Sequence, residues 1–191
     1  MIQARLCSQN AHKLGELRAA LPGWELDALD ADGYPPEDAG SYEGNARIKA
    51  VFGRSVGPAG VWMLGEDSGI EADALDGAPG INSARWAQGS QSQALLDRLT
   101  GEPERGARMV TVIVAISPEG EEVVARGELY GTIATERRGE GGFGYDPIFV
   151  PDGYDVPVAE LGDDWKQVNS HRGRAAAALQ AQVDGGSPPT S

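Results

Sequence analysis

Two adjacent carboxylates, Glu66 and Asp67, stand between a short apolar run and a Ser-Gly pair. The apolar run covers residues 61–64 and ends in Gly65, and Ser68 follows the acids. This order is typical of a buried strand that stops where its acids meet solvent, and such acids can bind a hard cation such as Mg²⁺. A surface turn with solvated acids has the same pattern, so the acids alone leave both interpretations open.

The start of the first predicted helix is a candidate anion site. Residues 8–13 form a tight turn between a strand and a helix that Asn10 is placed to cap, and Lys13 adds a mobile positive charge. The backbone N–H groups and the positive end of the helix dipole favour an anion there. An ordinary capped helix with an exposed lysine fits the same residues.

The last predicted helix also begins with basic side chains. Ser170 is a candidate N-cap, His171 and Arg172 occupy the first turn, and Lys166 lies shortly upstream. A lone histidine is more often structural than functional, but beside an arginine at a helix start it becomes a candidate anion ligand.

A glycine-rich loop covers residues 137–144, and glycine permits close approach of backbone to a ligand or tight turning. Phe143 and Tyr145 are aromatic side chains in and beside this loop. They can stack on a base or pack in a core, and the sequence does not separate the two.

A further helix is predicted over residues 41–55, and polar residues lie on it. Asn45 and Lys49 are four residues apart and therefore share a face. Glu43 lies in the first turn, where the helix dipole favours a carboxylate whether or not it has a function.

The bulk composition describes a globular protein. The chain has 191 residues, 40% apolar and 24% charged, which is enough for one domain with a substantial core. A net charge of −13 argues against broad binding to nucleic acid or anionic membranes. No apolar run reaches membrane length, no signal core stands at the N-terminus, and the single cysteine, Cys7, excludes an internal disulfide, so we expect a cytoplasmic protein.

The alternation of strand and helix patterns predicts an α/β fold with a mixed sheet. Two long β-rich runs, residues 109–117 and 122–135, flank a Pro-Glu-Gly turn and predict an antiparallel hairpin. Residues 184–191 have the composition of a disordered tail, which leaves residues 1–183 as a single domain.

Four motifs together resemble the inosine triphosphate pyrophosphatase family, the non-canonical purine nucleoside triphosphate pyrophosphatases. In chain order they are S-x-N-x-x-K at residues 8–13, E-D-S-G at 66–69 with G-A-P-G-x-x-S-A-R at 77–85, G-G-F-G-Y-D-P-I-F at 141–149, and S-H-R-G at 170–173 with Lys166 before it. The resemblance covers residues 2 to about 180, and F-G-Y-D-P with a downstream S-H-R is its most specific part.

The resemblance implies a homodimer, each chain with a long mixed sheet and two lobes around a nucleotide cleft. It implies Mg²⁺-dependent hydrolysis of ITP, dITP and XTP to the nucleoside monophosphate and pyrophosphate. Asp67 would be the proton acceptor and a metal ligand, with Glu66 and Glu43 as further candidate ligands. The candidate substrate-binding residues are Ser8, Gln9, Asn10, Ala11, His12, Lys13, Ser68, Phe143, Gly144, Tyr145, Asp146, Lys166, His171 and Arg172.

Two positions depart from the family pattern. Glu66 stands where the family commonly has Asp, and Gly44 stands where it commonly has Glu directly before the helix Asn. Glu43 is thus shifted by one residue, about 100° around a helix. Two alternatives stay open: a related pyrophosphatase acting on pyrimidine or methylated nucleotides, and a nucleotide-binding regulator that does not hydrolyse its ligand.

Overall fold

A computed structural model describes residues 1–185, in which strands alternate with helices and assemble into one six-stranded sheet. The strands are β1 (Ile2–Leu6), β2 (Trp24–Ala28), β3 (Trp62–Ala72), β4 (Gly106–Ile116), β5 (Glu122–Ile133) and β6 (Phe149–Pro151). The helices are α1 (Ala11–Ala20), α2 (Tyr42–Val56), α3 (Gln91–Arg98), α4 (Val158–Leu161), α5 (Asp163–Asn169) and α6 (His171–Asp184), with 3₁₀ helices at Asp73–Leu75 and Gly80–Arg85. The predicted α/β fold class is confirmed.

The sheet is mixed, as predicted, with the strand order β2-β1-β3-β4-β5-β6. β1 pairs in parallel with both β2 and β3, whereas β5 and β6 are antiparallel. Ser117 closes the turn between β4 and β5, because its N–H donates to the Glu121 carbonyl and its carbonyl accepts from Gly120 N–H. The two long runs therefore form the predicted pair of neighbouring strands.

The helix starts follow the capping signals in the sequence. Asn10 caps α1, since its side chain accepts hydrogen bonds from the N–H groups of His12 and Lys13. Ser41 caps α2 by accepting from the Gly44 N–H at 3.0 Å. Each cap occupies backbone donors that have no partner within the helix, which fixes where the helix begins.

β3 differs from the strand that the sequence predicts. We expected the strand to end at Gly65 and the following acids to meet solvent, but β3 continues through both acids to Ala72. Glu66 is 0% exposed and Asp67 is 4% exposed, so that expectation was wrong. Burial is possible because helices on the two faces of the strand supply partners for the two carboxylates.

Gly65 is required by the packing of α2 on β3. A Cβ at this position would overlap the backbone carbonyl of Ala46 and lie 2.7 Å from the Ala50 nitrogen, both in α2. Side chains alternate between faces along a strand, so Gly65 and Asp67 share the face on which α2 packs, and Glu66 has the other. The missing side chain thus brings α2 close to the Asp67 side of β3.

The chain divides into two compact units. Within the described residues, the first comprises 1–67, 111–127 and 172–185, and its main core packs α1 and α6 residues with β1–β3 residues such as Leu6, Leu26 and Leu64. The second comprises Ser68–Val110 and Glu128–His171, and its core includes Ile70, Leu95 and Phe149. The nucleotide cleft implied by the family resemblance stays a prediction.

α6 ends at the first residue of the predicted disordered tail, residues 184–191. Asp184 is the last residue of α6, and residues 186–191 lie outside the described part of the chain. None of the helices within residues 1–185 combines the length and the hydropathy that a membrane span requires.

We predict that Gly65→Ala lowers the free energy of unfolding by about 3 kcal/mol, because the methyl group meets backbone of α2 that cannot move aside locally. The matched control is Gly15→Ala in α1, where an added Cβ meets nothing within 4 Å. That control should gain about 0.5–1 kcal/mol from alanine's higher helix propensity. Urea unfolding measures both, and a Gly65→Ala loss below about 1 kcal/mol would contradict the packing argument.

Candidate active site

The first unit contains a group of charged side chains around the two acids of β3, which we call the β3 charge cluster. Its members are Lys13, Glu16, Glu37, Asn45, Lys49, Glu66, Asp67 and Arg172. The two acids have different neighbours because they occupy opposite faces of the strand. Glu66 meets residues of α1 and α6, and Asp67 meets residues of α2.

Glu66 is held between two cations. Its Oε2 atom lies 2.6 Å from Lys13 Nζ, and its Oε1 atom accepts hydrogen bonds from Arg172 Nε and Nη2 at 3.2 and 3.0 Å. Arg172, itself 2% exposed, donates through Nη1 to Glu16. The two anions and two cations therefore alternate, which compensates the burial of each charge.

The environment of Glu66 favours its charged form. Burial by itself raises the pKa of the Glu66 carboxyl, but the positive charges of Lys13 and Arg172 more than offset it and hold the pKa below its ordinary value. Burial likewise lowers the pKa of Arg172, and the attraction of Glu66 and Glu16 outweighs it, so that this pKa is raised. The ion pair is therefore fully charged at neutral pH.

Asp67 is oriented by side chains of α2. Asn45 Nδ2 donates to Asp67 Oδ2 at 3.0 Å, and Lys49 Nζ lies 3.6 Å from Asp67 Oδ1. Lys49 also donates to the Glu66 carbonyl oxygen at 2.8 Å and lies 2.7 Å from Glu37 Oε1. Burial raises the pKa of the Asp67 carboxyl, although Lys49 and the Asn45 hydrogen bond act in the opposite direction. A carboxylate with a raised pKa is a better proton acceptor than an exposed one.

Glu43 lies elsewhere on α2. Its side chain is 51% exposed and pairs with Arg47, which also pairs with Glu122. Glu43 precedes Asn45 by two residues, about 200° around the helix, so the face that holds Asn45 and Lys49 against Asp67 is not the face of Glu43. The structure therefore does not bring Glu43 into the β3 charge cluster.

The predicted phosphate turn, residues 8–13, lies at the start of α1 and is largely exposed except for the partly buried Ser8 and Lys13. We expected its backbone N–H groups to be open to an anion, but Asn10 Oδ1 accepts from those of His12 and Lys13 at 3.0 and 3.2 Å. Ser8 Oγ accepts from the Asn10 N–H. Lys13 is the residue of this turn that joins the β3 charge cluster.

The second unit holds another group of predicted residues, which we call the loop cluster: Phe143, Gly144, Tyr145, Asp146 and Lys166. Lys166 Nζ lies 2.6 Å from Asp146 Oδ2, which also accepts from the Phe143 N–H at 2.9 Å. The same ammonium lies 5.4 Å from the centroid of the Phe143 ring. Both members of the ion pair are buried, so Asp146 fixes the loop backbone and the lysine together.

The two aromatic residues of the loop cluster differ. Tyr145 belongs to the core of the second unit, and its hydroxyl donates to the Ser83 carbonyl at 2.9 Å. Burial raises the pKa of this hydroxyl. Phe143 is only partly buried, and Gly144 beside it has a φ of +63°, a conformation that favours glycine. Of the two rings, only Phe143 is therefore available for stacking on a base.

Three predicted residues stand where the two units meet in sequence. Ser68 follows Asp67 on β3, and His171 and Arg172 begin α6 as predicted. His171 is 8% exposed, and Ser170 before it is buried as well. Arg172 was predicted to line a substrate site, and its contacts in the first unit are with the two carboxylates of Glu16 and Glu66.

Sequence reasoning did not select four members of the cluster, Glu16, Glu37, Asn45 and Lys49. The spacing of Asn45 and Lys49 signals a shared face, and a lysine within an apolar helical stripe is a sign of a buried partner. Glu37 lies in an irregular segment with no periodicity, and Glu16 resembles any surface residue of α1. Their partners are distant in sequence, so no local pattern identifies them.

We predict that Glu66→Gln lowers the free energy of unfolding by about 3–5 kcal/mol, since it leaves Lys13 and Arg172 buried without their shared anion. The matched control is Glu43→Gln, which removes an exposed ion pair and should change stability by less than about 1 kcal/mol. Equal effects of the two substitutions would contradict the network.

The ion pairs of Glu66 with Lys13 and Arg172 also predict that stability depends on pH. The folded-state pKa of Glu66 is below its unfolded value, which is about 4.3 for a glutamate. The stabilisation of the folded state by the charged Glu66 is therefore complete above about pH 4.3 and is lost as pH falls toward the folded-state pKa. Wild-type stability should therefore fall more steeply in acid than that of Glu66→Gln.

Comparison with known proteins places this geometry in a family context. Residues 4–182 match the model of the Ham1 family. A Deinococcus deserti protein named dITP/XTP pyrophosphatase is 42% identical over 193 residues, covering 98% of this chain and 92% of that protein.

Two solved structures share the fold. The Staphylococcus aureus Ham1 protein superposes with a TM-score of 0.84 at 33% identity, over 97% of this chain and all of that one. A Mycobacterium abscessus structure, named nucleoside-triphosphatase / dITP/XTP pyrophosphatase, has a TM-score of 0.71 at 41% identity, over 93% of this chain and 98% of that one.

Proposed function

This chain belongs to the Ham1 family, and we propose that it hydrolyses the non-canonical purine nucleoside triphosphates dITP, ITP and XTP to the monophosphate and pyrophosphate. The observation that carries the proposal is the buried carboxylate of Asp67, oriented by Asn45 and Lys49, in a chain similar along nearly its whole length to dITP/XTP pyrophosphatases. A buried acid with a raised pKa is costly to maintain, and such groups concentrate at reactive sites.

In the reaction, water adds to the α-phosphorus and the bond from that phosphorus to the α–β bridging oxygen breaks. Asp67 accepts a proton from the attacking water, and the bridging oxygen leaves as part of pyrophosphate. Asn45 fixes one oxygen of Asp67 by a hydrogen bond, so the other oxygen has a defined direction. Lys13, held by Glu66 at the start of α1, supplies positive charge to the phosphates.

The carboxylates fit a divalent cation that the substrate helps to hold. Within residues 1–185 no group of three or more His, Cys, Asp or Glu side chains forms a metal-binding cluster. Mg²⁺ needs fewer, because it commonly binds one or two carboxylates and completes its shell with waters and substrate phosphates. Glu37 and Asp67 already converge on one cationic group, the Lys49 ammonium, at 2.7 and 3.6 Å.

We therefore propose Asp67 and Glu37 as the residues that hold Mg²⁺, which would supply positive charge against phosphate oxygens. The contacts favour Glu37 over the two other candidates. Both oxygens of Glu66 face cations, and Glu43 pairs with Arg47 on the exposed face of α2. Glu66 then serves as the counter-ion that places Lys13.

The metal proposal predicts a difference between two glutamates. Glu37→Gln should raise the Mg²⁺ concentration needed for half-maximal hydrolysis by about tenfold, because it removes one of the two carboxylates that hold the cation. Loss of groups that only support metal ligands already lowers metal affinity by about 10–100-fold. Glu43→Gln is the control and should leave that concentration within about twofold of wild type. The reverse pattern would assign the metal to Glu43.

Base choice is proposed to depend on the oxygen at position 6 of the purine. A hydrogen-bond donor from His171, Arg172 or a backbone N–H pairs with this oxygen. In adenine the same donor faces an amino group and is left without an acceptor. Phe143, the partly buried ring of the loop cluster, is the candidate stacking partner for the base. The homodimer and the cytoplasmic location implied by the family resemblance stay predictions.

The test is pyrophosphate release from dITP, XTP, dATP and dCTP, with and without Mg²⁺. We expect kcat/KM for dITP and XTP to exceed that for dATP by about 10⁴-fold, the discrimination that a site built around a hydrogen bond can reach. Equal turnover of dATP and dITP would contradict the proposal. Preference for dCTP would indicate a pyrimidine enzyme, and binding of dITP without release would indicate a non-hydrolysing regulator.

A further inference from the structure

We propose that Glu16 is a positioning residue for phosphate binding, acting through Arg172 and Glu66 on the ammonium of Lys13. The inference rests on the proposed role of Lys13 as a phosphate anchor. Four side chains carry it, joined in the order Glu16, Arg172, Glu66, Lys13. The backbone closes this series into a ring, because Glu16 and Lys13 lie three residues apart on α1 and share a face.

The pairing of Arg172 with Glu66 is unusual in its geometry. A guanidinium commonly meets a carboxylate as a fork, with one N–H to each oxygen. Here Nε and Nη2 of Arg172 both donate to Oε1 of Glu66, at 3.2 and 3.0 Å. The second oxygen, Oε2, is thereby left to Lys13, whose Nζ lies 2.6 Å away.

Glu16 accounts for this one-sided arrangement. It accepts from Arg172 Nη1, the guanidinium nitrogen that does not contact Glu66. While Nη1 is held, the guanidinium cannot turn to span both oxygens of Glu66. Without Glu16, Arg172 is able to take Oε2 as well, and Lys13 loses the anion that fixes its position.

A purely electrostatic role of Glu16 and a role in positioning Lys13 predict opposite changes in triphosphate binding when Glu16 is removed. The four side chains sum to zero charge, so removing Glu16 leaves one surplus positive charge near the phosphate anchor. If only charge mattered, triphosphate binding would strengthen. If Glu16 positions Lys13, binding weakens despite the added positive charge.

The experiment compares Glu16→Ala and Glu16→Gln in steady-state hydrolysis of dITP with Mg²⁺. We expect Glu16→Ala to raise KM about tenfold with kcat within about threefold, the pattern of lost binding shared by ground and transition states. Glu16→Gln retains an oxygen that can accept from Arg172 and should recover most of the wild-type KM. Arg18→Ala is the matched control, because it removes an exposed ion pair with Asp27 from the same helix and should not change KM.

A double-mutant cycle separates positioning from general damage to the fold. In a Lys13→Ala background, Glu16→Ala should change KM by less than about twofold, because its effect passes through the missing lysine. Calorimetric binding of inorganic triphosphate without metal gives a second readout and should weaken in the same order. Thermal unfolding of each variant identifies loss of structure. If Glu16→Ala does not fold, Glu16→Asp decides, because it keeps the negative charge but shortens the side chain that holds Arg172 Nη1, and the proposal predicts a KM above that of the wild type.

An unchanged or lowered KM in folded Glu16→Ala would overturn the proposal. It would also be overturned if the fold-changes in KM from Glu16→Ala and Lys13→Ala multiplied in the double variant, because the two residues would then act independently. These outcomes leave the proposed function intact as long as the wild type releases pyrophosphate from dITP. Absence of that release from the wild type would instead contradict the proposed function, and the metal-free binding of triphosphate would still decide the role of Glu16.

Discussion

The burial of the Glu66 carboxylate is the constraint on which the site of the first unit depends. A carboxylate with no exposed surface is strongly destabilising unless cations and hydrogen bonds compensate it. Lys13 near the start of the chain and Arg172, 106 residues after Glu66, provide that compensation. The same contacts fix α1 and α6 against β3. The requirement to pair one buried charge therefore also places the basic group that we assign to phosphate.

The negative charges of Glu66 and Asp67, adjacent residues of β3, have opposite effects on the stability of the fold. Glu66 is surrounded by cations that lower its pKa, so its charge contributes to folding. Asp67, one residue later on the opposite face, has a pKa raised by burial, so its charged form lowers the stability of the fold. Gly65 makes the second environment possible, because it lets α2 approach and bring Asn45 and Lys49 to Asp67. Position on alternate faces of one strand is enough to separate a structural acid from a reactive one.

Local signals in the sequence predicted most of the fold. The Asn10 cap, strand alternation and the β4–β5 turn identified elements close to those observed, and the mixed sheet followed from them. The acids of β3 were identified as important but placed in solvent. That error has a physical cause, since burying a carboxylate depends on partners such as Arg172 that only the folded chain brings near.

The members of the candidate site were predictable to different degrees. Motifs selected Lys13 and Asp67, which lie in the β3 charge cluster, and helical spacing placed Asn45 and Lys49 on one face. Glu37 could not be found because its segment has no regular pattern, and it meets Lys49 only in the folded chain. Glu43 was selected by its neighbourhood in sequence, but the rotation of the helix gives it another direction.

The central claim is that folding bears a cost at Asp67 in order to keep a charged acid for chemistry. Asp67→Asn tests it most directly, by measuring kcat for dITP and the free energy of unfolding of the same variant. The account predicts a fall in kcat of at least about 100-fold, which is about 2.7 kcal/mol of barrier, with stability unchanged or increased. Hydrolysis within about threefold of wild type, or a loss of activity that only follows a loss of stability, would contradict it.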